Sequence, residues 1–462
     1  MARPRFLSRF LAHPAERPAL DWQGSTYTFG ELRALGEGAA GWLAGRGVKA
    51  GDRVGIQLEN GIELVAAHLG CMALGAVRVP LNAHYRALEL APIIEDATPA
   101  LVITATPEHF SVVRCEPAVG SEPAAGSWDG GELTALLFTS GTTGRPKGAP
   151  QTWQMWESNL DALQQRWALS SDDVLWLTLP LFHTHGLVLG LHGAWLRGAR
   201  VLLSPRFDPV EPPDNATHFY GVPTYYRRWL PLMQAHPEWF THFRLMVSGS
   251  DGLGAELSDA VFEATGQRIL ERYGMTETVM ICSNPFDGER RAGTVGTPLR
   301  DTEVRIVEGE VQVRGPGVFA GYWPRPEPGA FTDDGFFRTG DAGALDEAGS
   351  LMIVGRKKDL VIVGGVNVSP AEVEAVLGRA PGVAEIGCCG LPDSDLNEIV
   401  VAAVVPDGTV ELIALRRNLE AAAAALSGLK RPRRYAFVSA LPRNALGKLQ
   451  RGRLPKEVSF DA

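Results

Sequence analysis

Residues 53–104 read RVGIQLENGIELVAAHLGCMALGAVRVPLNAHYRALELAPIIEDATPALVIT, and β-rich runs alternate in them with helical patterns. The spacing of the apolar residues predicts strands at 53–58, 76–81 and 100–104, with helices at 63–75 and 87–97. Alternation of this kind produces βαβ units, in which the strands are parallel and helices cover the sheet. The stretch therefore predicts an α/β fold built on doubly wound parallel sheets.

The rest of the chain adds a β-rich part and a smaller α+β part. A chain of 462 residues exceeds one compact core, so at least two domains are expected. Short strands follow one another from residue 296 to Arg356, and strands and helices alternate beyond it. We predict a large N-terminal domain at 1–356, which includes the β-rich subdomain, and a small α+β domain at 357–462. The Gly-, Ser- and Pro-rich stretch 116–131 predicts a surface loop.

Charge and composition exclude several classes of protein. The net charge is −9, whereas general nucleic-acid binding needs a basic surface. No apolar run approaches the roughly 18–20 residues of a membrane span, and the five cysteines have neither zinc nor disulfide spacing. We expect a cytoplasmic enzyme with reduced thiols. The run 430–453 is basic and has no acidic residue, which suits either a solvated face or contact with phosphates.

A loop rich in glycine and hydroxyl residues follows the apolar run ALLF at 135–138. Residues 139–148 read TSGTTGRPKG. The backbone N–H groups and hydroxyls of such a loop are free to turn toward an anion, and Lys147 adds positive charge. No Gly-Lys-Ser/Thr ends the stretch, so it is not a Walker loop. Composition alone leaves two interpretations, a phosphate-binding loop and a flexible surface loop.

This loop resembles the phosphate-loop signature of the adenylate-forming superfamily, which contains acyl-CoA synthetases, amino-acid adenylation domains and luciferases. Six more stretches resemble that superfamily's signatures in the same order, and together they span almost the whole chain: LPLFHTHGL (179–187), YGMTET (273–278), GYW (321–323), GFFRTGDAG (335–343), GRKKDLVIVGG (355–365) and PRNALGKLQR (442–451). The resemblance implies an AMP-forming acid–thiol ligase that uses ATP, Mg²⁺ and coenzyme A. It also implies that the small C-terminal domain is mobile.

The resemblance also implies which residues hold the nucleotide. Attack of a carboxylate on the α-phosphate depends on positioned charges and donors. Thr276 and Glu277 resemble the phosphate and magnesium contacts, Tyr273 would lie against adenine, and Asp341 and Arg356 would contact the ribose. The full implied nucleotide-binding set is Thr139, Ser140, Gly141, Thr142, Thr143, Gly144, Lys147, Tyr273, Gly274, Met275, Asp341 and Arg356.

In the small domain, Lys448 of PRNALGKLQR matches the catalytic lysine that reaches the α-phosphate and the substrate carboxylate. By resemblance, the domain rotates between the two half-reactions, and Lys448 serves adenylation only. Lys358 matches the hinge position. Gly364 and Gly365 resemble the strand that lines the pantetheine tunnel. Taken alone, a lysine in a basic tail is a solvated surface residue.

The acid-binding pocket is bounded in relatives by the loop that here reads LFHTHGL. Relatives that activate amino acids have Asp where this chain has His183, so an α-amino acid is not expected. Two arginines, Arg228 and Arg291, lie in stretches that border the pocket in relatives, and His185 and Ser248 are further candidates. The resemblance also implies that His183 binds the acid and takes part in catalysis. The motifs resemble malonyl-CoA synthetases most, and a second buried carboxylate would need a cationic partner. The alternative is that both arginines are solvated.

Several alternatives remain open at this stage. A short- or medium-chain fatty acid, or an aromatic acid, could replace the dicarboxylate. An adenylation enzyme that loads a carrier protein would share every motif. A catalytically silent binding module is disfavoured because Lys147, Glu277, Asp341 and Lys448 are all present. An NAD-dependent oxidoreductase is disfavoured because no GxGxxG follows the first strand.

Overall fold

The computed structural model describes residues 5–105, 110–113, 133–139, 145–364, 366–443 and 448–460. The predicted surface loop 116–131 lies outside these residues, as do phosphate-loop residues 140–144 and Gly365. The chain divides into two compact units, Met1–Val304 with Val313–Phe337 and Arg305–Gln312 with Arg338–Ala462. The domain boundary predicted after residue 356 remains a prediction.

Eleven α-helices lie in the described part of the chain, and local interactions explain where several of them begin or end. Helix α2 begins with a capping box, because Thr28 Oγ1 accepts from the Glu31 amide while the Glu31 carboxylate accepts from the Thr28 amide. Helix α3 ends at Gly75, which has a φ of 76°. The helices are α1 (Arg5–Ala12), α2 (Phe29–Ala44), α3 (Ile62–Leu74), α4 (Ala87–Ala97), α5 (Trp153–Arg166), α6 (Gly193–Arg197), α7 (Pro223–Ala235), α8 (Ala255–Thr265), α9 (Pro370–Leu377), α10 (Leu412–Ala423) and α11 (Leu454–Glu457).

The first unit contains a six-stranded sheet with the order β6-β5-β3-β4-β7-β8. Its central pairs β5–β3, β3–β4 and β4–β7 are parallel, and the edge pairs β5–β6 and β7–β8 are antiparallel. The strands predicted from residues 53–104 are its centre, so the parallel α/β prediction is confirmed. The strands are β3 (Arg53–Gln57), β4 (Val77–Pro80), β5 (Leu101–Ala105), β6 (Phe110–Val113), β7 (Leu133–Thr139) and β8 (Lys147–Thr152).

A nine-stranded sheet in the same unit has the order β15-β14-β13-β12-β11-β9-β10-β1-β2. The pairs from β13 through β12, β11, β9 and β10 to β1 are all parallel. A buried aromatic cluster around Trp229 and Phe219 packs on it. The strands are β1 (Pro18–Trp22), β2 (Ser25–Thr28), β9 (Val174–Leu177), β10 (Arg200–Leu203), β11 (His218–Gly221), β12 (Leu245–Ser248), β13 (Leu270–Tyr273), β14 (Cys282–Ser283) and β15 (Thr297–Pro298).

The remaining strands form a four-stranded sheet, β16-β17-β18-β19, and a five-stranded sheet. In the latter the order is β21-β20-β23-β22, and β24 also pairs with β23. Valines of β20 and β23 pack with α9 and α10 to form a separate core. The strands are β16 (Glu303–Val307), β17 (Glu310–Arg314), β18 (Phe337–Leu345), β19 (Leu351–Arg356), β20 (Val361–Val363), β21 (Val366–Val368), β22 (Val383–Asp393), β23 (Asn397–Pro406) and β24 (Arg434–Phe437). Among the described residues, no helix is long and apolar enough to cross a membrane.

Candidate active site

Four neighbouring parallel strands of the nine-stranded sheet, β9, β11, β12 and β13, end at the same edge. The segments that follow them include 179–187, 221–228, 247–250 and 273–278. In open α/β sheets, ligands bind outside the carboxyl ends of the strands. The sheet thus brings together four segments in which the sequence places the acid pocket and part of the nucleotide site.

A buried arginine lies at this edge. Arg272, in β13, is 5% exposed, and none of the described residues accepts a hydrogen bond from its Nε or Nη2. A buried charge without a partner is costly, and burial lowers the pKa of Arg272 to about 9. Its position depends on Gly249, where a Cβ atom would lie 2.2 Å from the guanidinium carbon.

Two predicted pocket residues are buried at the same edge. His185 and Ser248 are both buried, and among the described residues neither His185 Nε2 nor Ser248 Oγ has a hydrogen-bond partner. Ser250 Oγ lies 3.3 Å from His185 Nδ1. Burial, and then the charge of Arg272, lower the pKa of His185 well below its usual range. The cluster therefore combines one cation with neutral polar groups.

His183 comes just before a π-helix, His185–His192, which carries His185 at its start. π-Helical turns are rare and occur often at functional sites. The His183 carbonyl accepts the Leu187 amide at 2.9 Å. Burial lowers the pKa of His183 to about 4. The imidazole is therefore neutral at physiological pH, where it can donate or accept a hydrogen bond but carries no charge.

The two arginines named from the sequence lie elsewhere. Arg228 is exposed on α7. Arg291 is exposed and lines a surface groove of about 770 Å³ with Arg268 and Phe286. The structure thus does not bring either arginine into the buried cluster. Sequence reasoning missed Arg272, because residues 267–272 read QRILER and nothing in that stretch marks one of its charged residues as buried.

The segment after β13 carries the residues predicted to contact phosphate, magnesium and adenine. Gly274 is required there, because a Cβ atom would lie 2.2 Å from the Val279 carbonyl oxygen. The Thr276 carbonyl accepts from Nε2 of the buried Gln151 at 2.7 Å. Glu277 is buried, and its Oε1 accepts the Tyr322 hydroxyl at 2.8 Å. Tyr273 ends β13 and Met275 directly precedes the turn at 276–278, while the Tyr322 hydroxyl orients the Glu277 carboxylate.

The predicted phosphate loop connects β7 to β8. Thr139 pairs with Lys147 at the base of this hairpin, and the Lys147 ammonium lies 2.7 Å from the Glu327 carboxylate. The same ammonium lies over the Tyr322 ring, 5.2 Å from its centroid. Tyr322 therefore contacts both Lys147 and Glu277. Sequence reasoning missed Gln151, Tyr322 and Glu327, of which only Tyr322 lies within a quoted motif.

In the second unit, the two predicted ribose contacts are paired with each other. Asp341 and Arg356 are directly opposite on β18 and β19, and Arg356 Nε lies 2.9 Å from Asp341 Oδ1. Gly340, within β18, has a φ of 69°, a conformation that favours glycine, directly before the buried Asp341. The Arg356 guanidinium orients the Asp341 carboxylate, whose oxygens can accept hydrogen bonds from hydroxyl groups.

The other predicted residues of the second unit that the structure describes are exposed. Lys358 lies in a short 3₁₀ helix, Lys357–Asp359. Gly364 has a φ of 56°, and its amide donates to the Leu396 carbonyl at 2.8 Å. Lys448 is exposed, next to Leu449, which forms a β-bridge with Arg443. Three further 3₁₀ helices lie in the described residues: Pro237–Phe240 in the first unit, and Gly428–Lys430 and Arg451–Arg453 in the second.

Comparisons with known proteins agree with this architecture. Residues 7–323 match the AMP-binding enzyme family, and residues 372–448 match the AMP-binding enzyme C-terminal domain. The malonate–CoA ligase of Arabidopsis thaliana is 32% identical, over 97% of this chain and 87% of its own. ATP-bound MatB from Rhodopseudomonas palustris has a TM-score of 0.87 at 34% identity, over 98% of this chain and 99% of its own. A malonyl-CoA ligase ternary product complex, with methylmalonyl-CoA and AMP bound, is 39% identical with a TM-score of 0.67, over 94% and 98%.

The first match alone covers more than half of the chain, and the second covers most of the segment predicted as the small domain. The order of the sequence motifs, the parallel sheets and the solved structures all agree. The chain belongs to the AMP-binding enzyme family, within the adenylate-forming superfamily that its motifs predict.

Proposed function

We propose that this chain is an ATP-dependent acyl-CoA synthetase whose acid is malonate or a closely related short dicarboxylate. The carboxylate oxygen attacks the α-phosphate of ATP, the bond to pyrophosphate breaks, and an acyl-adenylate forms. The thiol of coenzyme A then attacks the acyl carbon, and AMP leaves. The names of the relatives, malonate–CoA ligase and malonyl-CoA ligase, support this choice of acid.

The observation that carries the choice is Arg272. A monocarboxylate would leave the buried guanidinium without a partner, whereas the distal carboxylate of malonate would accept hydrogen bonds from Nε and Nη2 as a bidentate pair. Burial without a partner costs several kcal/mol, and the substrate would offset that cost on binding. The buried groups of His185 and Ser248 supply further hydrogen bonds at the same edge. In this proposal Arg272 has the role that was predicted from sequence for Arg228 or Arg291.

The nucleotide residues have the roles that their motifs imply. Thr139–Gly144 and Lys147 hold the β- and γ-phosphates, Thr276 contacts phosphate, and Asp341 and Arg356 hold the ribose. Release of Lys147 from Glu327 frees its ammonium for phosphate. Tyr273, with Gly274 and Met275, faces the adenine.

Mg²⁺ fits Glu277. Magnesium takes oxygen ligands and usually keeps several waters beside one or two carboxylates. The Glu277 carboxylate is buried and oriented by Tyr322. When bound, the ion would neutralise charge on the phosphates and on the departing pyrophosphate.

Lys448 delivers a charge to the α-phosphate and the acid carboxylate during adenylation, and the small domain, hinged at Lys358, then withdraws it. Gly364 and Gly365 line the path of the pantetheine arm. A flexible lysine suits this role because its ammonium is a compact charge on a long stem. Neutral His183 would bound the acid pocket, where it can donate or accept a hydrogen bond.

A panel of acids tests the proposal. Purified enzyme receives ATP, Mg²⁺, coenzyme A and one acid from malonate, methylmalonate, acetate, butyrate, octanoate and benzoate, and pyrophosphate release is followed. We expect the highest kcat/KM with malonate or methylmalonate, and a preference for butyrate, octanoate or benzoate would refute the dicarboxylate. Replacing coenzyme A by phosphopantetheinylated carrier protein in the same assay tests the other acceptor. Faster transfer to the carrier would make coenzyme A the secondary acceptor.

A further inference from the structure

The segment that carries Lys448 is anchored to the small α+β core by alternate side chains. Leu449 packs in an apolar cluster with Leu441, and Leu454 is fully buried there. The Gln450 amide donates to the Pro442 carbonyl at 2.8 Å. Lys448 itself is exposed. Apolar contacts and this backbone hydrogen bond thus hold the segment on the small core.

Directional side-chain bonds to α9 and β22 come from Arg451, three residues after Lys448. Its Nη2 lies 3.1 Å from Glu374 Oε2, and its Nη1 contacts Glu374 Oε1. Nη1 also donates to the carbonyl of Cys388, at 2.5 Å. The same Cys388 donates its amide to Glu374 Oε1, at 2.6 Å. Arg451, Glu374 and Cys388 therefore form a closed network that joins the lysine segment to α9 and β22.

This network is more buried than the nearby ion pair Arg453–Glu457 and has more hydrogen bonds. The side chains of Arg451 and Glu374 are only 18% and 17% exposed, and a bidentate pair with an additional backbone partner on each side has one favoured geometry. The nearby pair Arg453–Glu457 is 51% and 43% exposed and spans one helical turn. Exposed pairs of that kind contribute little.

We propose that the Arg451–Glu374–Cys388 network is the positioning element for Lys448, and that it sets the rate of adenylation without contacting substrate. The inference rests on the proposed role of Lys448. At about 3.3–3.6 Å per residue, the Arg451 backbone lies within roughly 11 Å of the Lys448 backbone, so a shift of the anchor is transmitted to the ammonium. A misplacement of about 1 Å can lower a rate roughly 100-fold.

The test compares Glu374→Gln and Arg451→Lys with the control Glu457→Gln in two assays. Adenylation is followed by ATP–pyrophosphate exchange, and thioester formation is followed from supplied acyl-adenylate and coenzyme A. We expect both network variants to lose roughly 10- to 100-fold in the kcat of exchange, with KM for ATP and acid and the thioester rate nearly unchanged. The control should match the wild type in both assays.

Two results would overturn the inference. One is an equal loss in both half-reactions, because a general structural defect would act on both. The other is an unchanged exchange rate in Glu374→Gln while the melting temperature falls. Lys448→Ala in the same assays separates this inference from the proposed function. If Lys448→Ala leaves exchange intact, the role of Lys448 fails, and the inference fails with it. If only the network variants leave exchange intact, the positioning inference alone fails.

Discussion

Replacing Arg272 by Met removes the buried cation but keeps much of its apolar volume. In the complex with malonate, the distal carboxylate would then be buried without its partner. Loss of one member of a buried pair costs about 3–5 kcal/mol, which corresponds to roughly 150- to 5,000-fold in kcat/KM. The same change should spare or raise activity on butyrate, which has no second carboxylate. We therefore expect the wild type to prefer malonate and the Arg272→Met variant to prefer butyrate.

The thermal stability of the ligand-free Arg272→Met variant gives a second, independent test of the same claim. Burial lowers the pKa of Arg272 to about 9 from its ordinary 12.5, so the folded state disfavours the charged form. At pH 7.5, below both values, the whole penalty is present. Arg272→Met should therefore unfold at the same temperature as the wild type or a higher one, although its malonate activity is lost.

The assay is pyrophosphate release with malonate and butyrate, beside thermal unfolding without ligands. Arg228→Met and Arg291→Met serve as matched controls, because both arginines are exposed, and each should change either activity by less than about threefold. A uniform loss on both acids, accompanied by a lower melting temperature, would mean that Arg272 is structural. If Arg228→Met or Arg291→Met lost activity on malonate alone, that arginine, and not Arg272, would be the partner of the distal carboxylate.

Three further predictions concern other residues. Lys448→Ala should lower adenylation roughly 100- to 1,000-fold and leave thioester formation from supplied acyl-adenylate nearly intact; equal losses in single-turnover measurements of the two steps would contradict this. Burial raises the pKa of Glu271 to about 7 from its ordinary 4.5, so wild-type stability should fall as pH rises from about 4.5 through 7, by at most about 3 kcal/mol. Glu271→Gln should therefore be more stable than the wild type at pH 8.5 but not at pH 4.5 in urea unfolding, and an equal difference at both pH values would be evidence against a titrating Glu271. Because burial lowers the pKa of His183 to about 4, imidazole titration near pH 6.5 should make no step in the pH profile of kcat, and a step there that disappears in His183→Asn would show that His183 ionises.

Local patterns predicted the elements that local forces determine. The helix predicted at 63–75 is observed at Ile62–Leu74 and ends at the predicted glycine, and the strand predicted at 53–58 is β3, Arg53–Gln57. Long-range pairing was beyond such patterns. The pairing of β1 with β10 joins residues about 180 positions apart, and no periodicity within either strand specifies its partner. The π-helix at His185–His192 was also missed, because its apolar run suits several backbone conformations.

The candidate site was predictable in part for a related reason. The resemblance named His185 and Ser248, which the structure brings to one strand edge. It also named Asp341 and Arg356, which are paired. Arg272 could not be chosen over Arg228 and Arg291 from sequence, because its burial depends on residues distant in the chain, such as Gly249, which lies against its guanidinium. The partners of Lys147 and Glu277 are distant in sequence, and only the folded chain brings Tyr322 between them.

The central claim, that the acid is activated as an acyl-adenylate, can be tested by following oxygen atoms. Malonate labelled with oxygen-18 in both carboxylates is incubated with enzyme, ATP, Mg²⁺ and coenzyme A, and the nucleotide product is analysed by mass spectrometry. Attack of a carboxylate oxygen on the α-phosphate, followed by thiol attack on the acyl carbon, leaves one labelled oxygen in AMP. We predict AMP that carries a single oxygen-18, with unlabelled pyrophosphate. ADP together with labelled orthophosphate would indicate an acyl phosphate and would contradict the account.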